Sequence, residues 1–306
     1  MHDNRLAELY NWWKGPEYFR QLACKSLGRE VSLEESQGWI AAPGTLPGVF
    51  FDELMDSANP LIVHSRGIQS QVELQYGKPA AYLPFCVYRQ FDDSELQPAA
   101  KAAARVALGI KPQALVVITL GIVAPSKGPQ QCIDAVAAAR RAGHEVEFYF
   151  VGSSDGVRAH LEQYASSVGV QSSIHFTSGW VSDTEYRQFI AAADFAVQLR
   201  NSFFGGLSGA MLDCIASGLP TVANRDLAEA LDSPNYVMRI GDQLSSEELS
   251  QCLLHGIESE LHRDRMWSAR QEYLRDHSFQ AYAVAMLELL GLEQPNMRPR
   301  IQVQAA

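Results

Sequence analysis

The feature that most constrains the fold is an alternation of short apolar segments and helical patterns between residues 99 and 223. The predicted strands are LVVITL (115–120), EVEFYFV (145–151), SIHFT (173–177), FAVQL (195–199) and PTVA (220–223). Parallel strands need a crossover connection, which is usually a helix, so this alternation predicts a parallel sheet with helices on both faces. Unbroken apolar runs agree, because strands buried on both sides do not alternate with polar residues. The expected class is therefore a doubly wound, Rossmann-like α/β fold.

Helical patterns fill the intervals between these strands. They are expected at PAAKAAARVAL (98–108), from Pro129 to Gly143, in a segment ending near Gly169, at 183–193, from about Leu207, and over 246–290. In such a sheet, ligands bind outside the carboxyl ends of the strands. The loops that follow the strands are therefore where the chemistry is expected.

The first 80 or so residues have a different pattern, which is mostly helical. Pro16 suits the first position of a helix, and Ser65 and Gly77 suit the two ends of another that follows a short strand. We expect a reduced N-terminal portion (1–83), a linker rich in polar residues and prolines (84–104), the Rossmann-like domain (105–292) and a tail (293–306).

Composition limits the classes of partner and the compartment. The 306 residues carry a formal net charge of −10, which argues against a nucleic-acid partner or general binding to anionic membranes. The five cysteines are scattered and show no zinc or disulfide spacing. The N-terminus lacks a signal-peptide pattern, and the longest apolar run, 114–124, is too short to span a bilayer. A soluble cytoplasmic protein is expected.

The loop LGIVAPSKGPQQ (120–131) is a candidate anion site. Lys127 and Gly128 come just before a helix that begins at Pro129. A helix N-terminus attracts anions, and glycine lets a ligand approach the backbone. The Walker spacing is absent, so this is no P-loop of that type. A surface lysine in an ordinary loop is the alternative interpretation.

The stretch NSFFGGLSGAMLDCIASGLP (201–220) is a second candidate. Gly205 and Gly206 allow close backbone approach, and Ser208 can cap a helix or bind an oxygen. Gly209 and Asp213 share one helix face, so a ligand lying over the glycine would present hydroxyl groups to the acid. The alternative is a solvent-exposed aspartate within a helix. We prefer the ligand interpretation because this loop and the Lys127 loop would face each other across the sheet edge.

Two further loops also follow predicted strands. VGSSDG (151–156) is interpreted as a tight turn. In SGWVSDTEY (178–186), Gly179 follows a strand and Ser182 or Asp183 caps a helix. Trp180 could stack on a ring, but we expect its side chain to lie in the core.

Taken in order, these pieces resemble a known family. The matching features are Lys127–Gly128, the Val-Gly pair after the second strand, IHFTSGWV (174–181), AAADFAV (191–197) and LDCIASGLPTVA (212–223). Residues 104–290 thereby resemble the C-terminal, donor-binding half of the family-four glycosyltransferases of GT-B fold. LIVHSRGIQSQVELQYG (61–77) more weakly resembles the end of the family's N-terminal half.

The resemblance implies retaining transfer of a sugar from a nucleoside diphosphate sugar, usually without a bound metal and without a permanently bound cofactor. It implies that Lys127 neutralises the diphosphate, that Asp213 accepts from the ribose, and that backbone near Gly179–Val181 meets the base. The expected catalytic residues are Lys127 and Arg200. The expected donor-binding residues are Gly121, Lys127, Gly179, Val181, Gly205, Gly206, Ser208, Gly209 and Asp213.

The chain departs from the family pattern at two positions. The family usually has two glutamates with seven residues between them; Asp213 takes the second place, but Gly205 takes the first. Glycine has no side chain to hold a hydroxyl of the donor sugar. The arginine that often follows the first-strand glycine is replaced by Ile122, and Arg200 is the candidate substitute for its charge.

A full GT-B enzyme has a first Rossmann-like domain where this chain has some 80 residues. The chain is part of a longer one, its N-terminal half is reduced, or a partner protein supplies that half. The function hypotheses are a glycosyltransferase acting on a glycan, lipid-linked or protein acceptor, and a nucleotide-sugar-binding subunit without catalysis. A third hypothesis, a nucleotide-sugar epimerase on the same fold, is not supported, because this sequence shows no pattern of the carboxylates and histidines expected of such an enzyme.

Overall fold

The computed structural model describes residues 6–42, 45–201, 206–259 and 266–292. The strands in these residues are β1 (Ile62–Val63), β2 (Ala81–Tyr82), β3 (Leu115–Leu120), β4 (Val146–Val151), β5 (Ile174–Phe176), β6 (Phe195–Gln198), β7 (Thr221–Asn224) and β8 (Val237–Ile240). The helices are α1 (Leu6–Trp13), α2 (Pro16–Leu27), α3 (Leu33–Ala41), α4 (Asp52–Ser57), α5 (Arg66–Tyr76), α6 (Pro98–Ala107), α7 (Pro129–Arg141), α8 (Arg158–Ser167), α9 (Asp183–Ala192), α10 (Gly209–Ala216), α11 (Arg225–Glu229), α12 (Ser246–Glu258), α13 (Trp267–Asp276) and α14 (Phe279–Leu289).

The main sheet has six parallel strands in the order β5–β4–β3–β6–β7–β8. β3 lies at the centre, paired with β4 along its whole length and with β6 at Val117 and Ile118. The strand order reverses between β3 and β6, which makes this the topological switch point where doubly wound sheets bind ligands. The predicted α/β class is confirmed.

The core explains why the central strands are continuously apolar. Successive side chains of β3 point to opposite faces of the sheet. Val116, Ile118 and Leu120 belong to a buried cluster completed by α9, α10 and α13. Val117 belongs to a second cluster on the other face, completed by α7, α8 and α12. Both faces of the sheet are therefore covered, and no polar alternation is needed.

The N-terminal portion has its own hydrophobic cluster, in which Phe19, Phe50 and Phe51 are fully buried. Besides helices α1 to α5, this portion contains a two-stranded parallel pair, β1–β2, which α5 contacts. The predicted start and end of α5 are confirmed: Ser65 accepts a hydrogen bond from Ile68 N, and Gly77 has the left-handed conformation. This portion is mostly helical, as the sequence predicted.

In the main sheet and its connections, β8 and α11 were not predicted, and in the N-terminal portion β2 was not predicted. β8 is four residues long and contains Arg239 between apolar positions, so neither its length nor its composition stands out. α11 has only five residues, too few for a helical period to show. Boundaries also differ: α10 begins at Gly209 because Ser208 takes the N-cap position, and the helical stretch predicted over 246–290 contains α12, α13 and α14. In the part of the chain that the structure describes, no helix has the length and apolarity to cross a bilayer.

Candidate functional site

The loop after β3 carries the predicted lysine. Gly121 follows the strand in a left-handed conformation, a one-turn 3₁₀ helix covers Pro125–Lys127, and Gly128 precedes α7. Lys127 is half-buried, and its Nζ donates to the carbonyl oxygen of Leu120 at 3.2 Å. The side chain therefore folds back over the end of β3, at the carboxyl edge of the sheet.

The loop after β6 lies directly against this lysine loop. The backbone N–H of Asn201 donates to the carbonyl of Ser126 at 2.6 Å. Arg200 Nη1 donates to the carbonyl of Leu207 at 3.1 Å, which brings the guanidinium to the segment just before α10. The structure thus brings together the two loops that the sequence predicted to face each other. Gly205, one of the predicted donor-binding residues, lies outside the described residues.

Two cations converge at this edge. Burial, followed by the positive charge of Arg200, lowers the pKa of Lys127 to about 8. No carboxylate of the described ranges lies within ion-pair distance of Lys127. Like charges held together in a half-buried place are stabilised by an anion, so the geometry suits a phosphate group.

The N-terminus of α10 completes the phosphate side of the site. The Ser208 side chain accepts from Met211 N at 3.2 Å, so this serine acts as a cap. A Cβ at Gly206 would lie 3.1 Å from Arg200 Nη1. The sequence predicted an open space over Gly209, but the Tyr88 hydroxyl occupies it, and any side chain at Gly209 would collide with that hydroxyl.

Asp213 lies one turn further along α10 and is almost completely buried, with 3% exposure. The alternative of a solvent-exposed aspartate is therefore wrong. Its Oδ2 accepts from the Tyr186 hydroxyl at 2.8 Å and from Arg89 Nε at 3.2 Å. Burial raises the pKa of Asp213 to about 6, and the hydrogen bond from Tyr186 and the charge of Arg89 oppose this rise. The acid therefore already has partners on one of its two oxygens.

The loop after β5 holds the two residues expected near the base. Gly179 has a φ of 132°, and its carbonyl accepts from the Thr177 side chain at 3.2 Å. Val181 packs against the cluster on the α10 face. The expectation that Trp180 lies in the core is wrong: its side chain is 76% exposed, because Val181 is the residue of this loop that packs inward.

The loop after β4 has a packing role at its glycine. Gly152 has a φ of 143°, and a Cβ there would come within 2.5 Å of the Gly121 carbonyl oxygen. The two strand ends approach so closely that only glycine fits, which accounts for the Val-Gly pair without a ligand.

Three residues at the site were missed by sequence reasoning. Tyr88 and Arg89 come from the predicted linker, and Tyr186 comes from α9. The only sequence signal is a polar trio, 88–90, between the buried apolar residues Val87 and Phe91. No group of three or more His, Cys, Asp or Glu side chains in the described ranges is arranged to hold a metal.

Comparison with known sequences finds a family similarity for the segment that carries most of this site. The family described as "Glycosyl transferases group 1" matches residues 114–255. The lipopolysaccharide glucosyltransferase WaaG of Escherichia coli K12 is 28% identical over 173 residues, which are 56% of this chain and 45% of that protein. D-inositol 3-phosphate glycosyltransferase 2 of Catenulispora acidiphila is 28% identical over 182 residues, 57% of this chain and 42% of that protein. The chain spans less than half the length of these curated relatives.

Comparison with solved structures agrees on the fold. Anabaena Alr3699/HepE in complex with UDP and glucose superposes with a TM-score of 0.65 at 18% identity, covering 81% of this chain and 68% of that one. The crystal structure of WaaG gives a TM-score of 0.61 at 23% identity, covering 73% of this chain and 62% of that one. The resemblance inferred from the motifs is confirmed: the segment 114–255 matches the family of glycosyl transferases of group 1.

Proposed function

We propose that this chain binds a nucleoside diphosphate sugar at the carboxyl edge of its sheet and transfers the sugar, with retention, to a glycan, lipid-linked or protein acceptor. The diphosphate would lie between Lys127, Arg200 and the N-terminus of α10, with its hydroxyl-bearing ribose toward Asp213. The base would lie toward the loop at Gly179–Val181.

One observation carries this proposal. The loops after β3 and β6 are joined by the hydrogen bond from Asn201 N to Ser126 O, and they bring Lys127 and Arg200 together beside the first residues of α10. A cationic pair at a helix N-terminus and at the switch point of a doubly wound sheet combines three separate features that favour phosphate. In this proposal, the backbone of Gly121, Gly206, Ser208 and Gly209 would line the diphosphate.

The same groups suit the chemistry of transfer. When the bond between the anomeric carbon and the β-phosphate oxygen breaks, negative charge grows on the leaving diphosphate. Lys127, Arg200 and the helix N-terminus are fixed positive partners for that charge, and such preorganised partners lower the barrier. The acceptor hydroxyl forms the new bond to the anomeric carbon, and its proton passes to the anionic oxygen of the leaving diphosphate. We assign this electrostatic role to the protein's own cations, and no metal or permanent cofactor is part of the proposal.

The proposal assigns parts to the predicted domains. Residues 105–292 would form the donor domain, 84–104 the connection, 1–83 the acceptor side, and 293–306 a tail. Because the chain spans less than half the length of its curated relatives, we propose that further chain or a partner protein completes the acceptor side. Anabaena Alr3699/HepE has been solved with UDP-glucose, so UDP-sugars are the first donors to test.

A thermal-shift panel tests donor binding. The chain is melted with UDP-, GDP-, ADP- and dTDP-sugars, each against the free sugar at the same concentration. Because a ligand that binds only the folded state stabilises it by mass action, at least one nucleotide sugar should raise Tm while its free sugar does not. A flat response across the panel would contradict the proposed function.

A non-catalytic nucleotide-sugar-binding subunit is the second candidate. It is favoured by Gly205, which stands where the family usually has a glutamate that holds the donor sugar. Release of UDP from UDP-sugar separates the two candidates, measured with the chain alone and with acceptors added. Donor binding without turnover under either condition would favour the subunit.

A further inference from the structure

The segment 85–91, which connects the N-terminal portion to α6, is fixed to the donor domain along its backbone. Val87 N donates to the carbonyl of His277 at 2.8 Å. The buried Arg270 donates from Nη2 to the carbonyl of Phe91 at 3.0 Å, and Arg187 Nη1 donates to the carbonyl of Gln90 at 3.0 Å. We call this stretch the docked segment. Its position over the donor domain is set by three hydrogen bonds, one with α9 and two with α13 and its C-terminal cap.

The docked segment places two side chains on α10. The Tyr88 hydroxyl lies over Gly209, at the N-terminus of the helix. Arg89 reaches one turn further, where its Nε donates to Asp213 Oδ2 at 3.2 Å and its Nη1 pairs with Asp183 at the start of α9. The guanidinium also lies 4.9 Å from the centroid of the Tyr186 ring. Arg89 is therefore held on three sides.

The Asp213 carboxylate is unevenly satisfied. Oδ2 accepts from Arg89 and from the Tyr186 hydroxyl. Oδ1 is buried and has no hydrogen-bond partner among the described residues. A buried carboxylate oxygen without a donor is costly, and native structures rarely keep one unless a ligand or water completes it. The two hydrogen bonds to Oδ2 fix the orientation of the carboxylate, while Oδ1 lacks a donor from the described part of the chain.

The positive charges near Asp213, above all that of Arg89, favour its ionised form. The facing groups are Tyr88 and Arg89 from the docked segment and Tyr186 and Arg187 from α9. Burial raises the pKa of Asp213 to about 6, while the hydrogen bond from Tyr186, the charge of Arg89 and the charge of Arg187 oppose the rise. Burial and the charge of Asp213 raise the pKa of Tyr186, so it remains a neutral donor.

We propose that Arg89 is a positioning residue of the donor site, which fixes Asp213 through Oδ2 so that Oδ1 accepts a hydroxyl group from the ribose of the bound nucleotide. This inference rests on the proposed function. It assigns to the segment between the two portions of the chain a part in recognising ribose, although that segment carries no residue of the family pattern.

Isothermal titration of the full chain at pH 7.5 tests the inference with three probes: UDP, 2′-deoxy-UDP and inorganic pyrophosphate. Removing the 2′-hydroxyl should weaken binding to the wild type. In Arg89→Gln, UDP should bind about tenfold more weakly, which is the scale of one charge-assisted contact. The preference for UDP over 2′-deoxy-UDP should shrink in this variant. Removing Arg89 and removing the 2′-hydroxyl weaken the same interaction, so their effects on binding do not add. Pyrophosphate, which has no ribose, should bind Arg89→Gln as it binds the wild type.

Two further variants separate positioning from folding. Arg89→Lys keeps the charge without the guanidinium geometry and should recover part of the preference. Arg187→Gln is the matched control, because it also loses bonds to Asp183 and to the docked segment but makes no hydrogen bond to Asp213. It should keep the preference for UDP over 2′-deoxy-UDP.

The pH profile gives an independent measurement. UDP binding should weaken as Asp213 is protonated on the acidic side. Loss of the Arg89 charge raises the pKa of Asp213, so the acidic limb should move to higher pH in Arg89→Gln. The ligand's own titration is common to both proteins and cancels in the difference.

The outcomes distinguish this inference from the proposed function. A wild-type chain that binds neither pyrophosphate nor any nucleoside diphosphate overturns both. Wild-type binding with an unchanged ribose preference in Arg89→Gln overturns the positioning role alone. Tighter UDP binding in Arg89→Gln would also overturn the positioning role, because the Arg89–Asp213 pair would then oppose binding. The same conclusion would follow if Arg187→Gln reproduced the full effect of Arg89→Gln.

Discussion

The candidate site has a phosphate end, at Lys127 and Arg200, and a ribose end, at Asp213, and the two ends have opposite charge. At the phosphate end, Lys127 and Arg200 bring two positive charges together, and the pKa of Lys127 falls to about 8. At the ribose end, Asp213 is already paired with Arg89. An anionic ligand relieves repulsion at the first end, whereas at the second end the uncharged ribose donates hydrogen bonds to a carboxylate that is already paired. We therefore expect the phosphate end to supply most of the affinity and the ribose end to supply selectivity.

Replacing the lysine should have the largest effect. In Lys127→Met, nucleoside diphosphates and pyrophosphate should both bind about 30-fold more weakly, the equivalent of about 2 kcal/mol for a charge-assisted contact. Titration calorimetry with UDP and with pyrophosphate measures both losses. Lys111→Met is the control, since Lys111 is an exposed lysine just before β3, at the opposite end of the strand from Lys127. Wild-type affinity for both ligands in Lys127→Met would remove the phosphate end from the proposal.

The affinity should also depend on the protonation of that lysine. The protonated form binds the diphosphate, and the lowered pKa of Lys127 is about 8 in the free protein. Raising the pH from 7 to 9 should therefore weaken UDP binding by about tenfold, with proton uptake on binding above pH 8. Calorimetry in buffers of different ionisation enthalpy measures that uptake. Lys127→Met should lose this alkaline limb, and a limb that persists in the variant would assign it to another group.

At the ribose end, removing the charge should discriminate between ligands. Asp213→Asn keeps an acceptor for the Tyr186 hydroxyl but weakens acceptance from ribose. UDP should bind about fivefold to tenfold more weakly, and pyrophosphate should be unaffected, on the scale of one hydrogen bond to a charged group. Asp56→Asn makes the same charge change at an exposed carboxylate of α4 and serves as control. Equal losses for UDP and pyrophosphate would mean that the two ends are not separate.

The two ends also differ in how far sequence could predict them. The phosphate end is built from local signals at two neighbouring strands: a buried strand, a basic residue, glycine and the start of a helix. The order of strands in a doubly wound sheet brings those loops together. Periodicity therefore predicted both the fold and the meeting of Lys127 with the segment before α10.

The ribose end depends on a contact that no local pattern encodes. Arg89 and Asp213 are 124 positions apart, and the segment that carries Arg89 has no helical or strand period. Its place is set by tertiary bonds from Arg187 and Arg270, which reach backbone carbonyls of the segment rather than its side chains. The contact of Tyr88 could not be predicted either, because no local pattern indicates that the docked segment covers Gly209.

The orientation of Trp180 was the third feature that sequence could not predict, and it leads to the smallest expected effect. With 76% of its side chain exposed, in the loop proposed to meet the base, Trp180 is available to stack on a ring. Stacking contributes about 1 kcal/mol, so Trp180→Ala should weaken UDP binding by about threefold to fivefold and leave pyrophosphate binding unchanged. Trp12→Ala is the matched control, because Trp12 is 84% exposed on α1 in the N-terminal portion. If Trp180→Ala binds UDP as the wild type does, the base lies elsewhere, and selectivity rests on the ribose end alone.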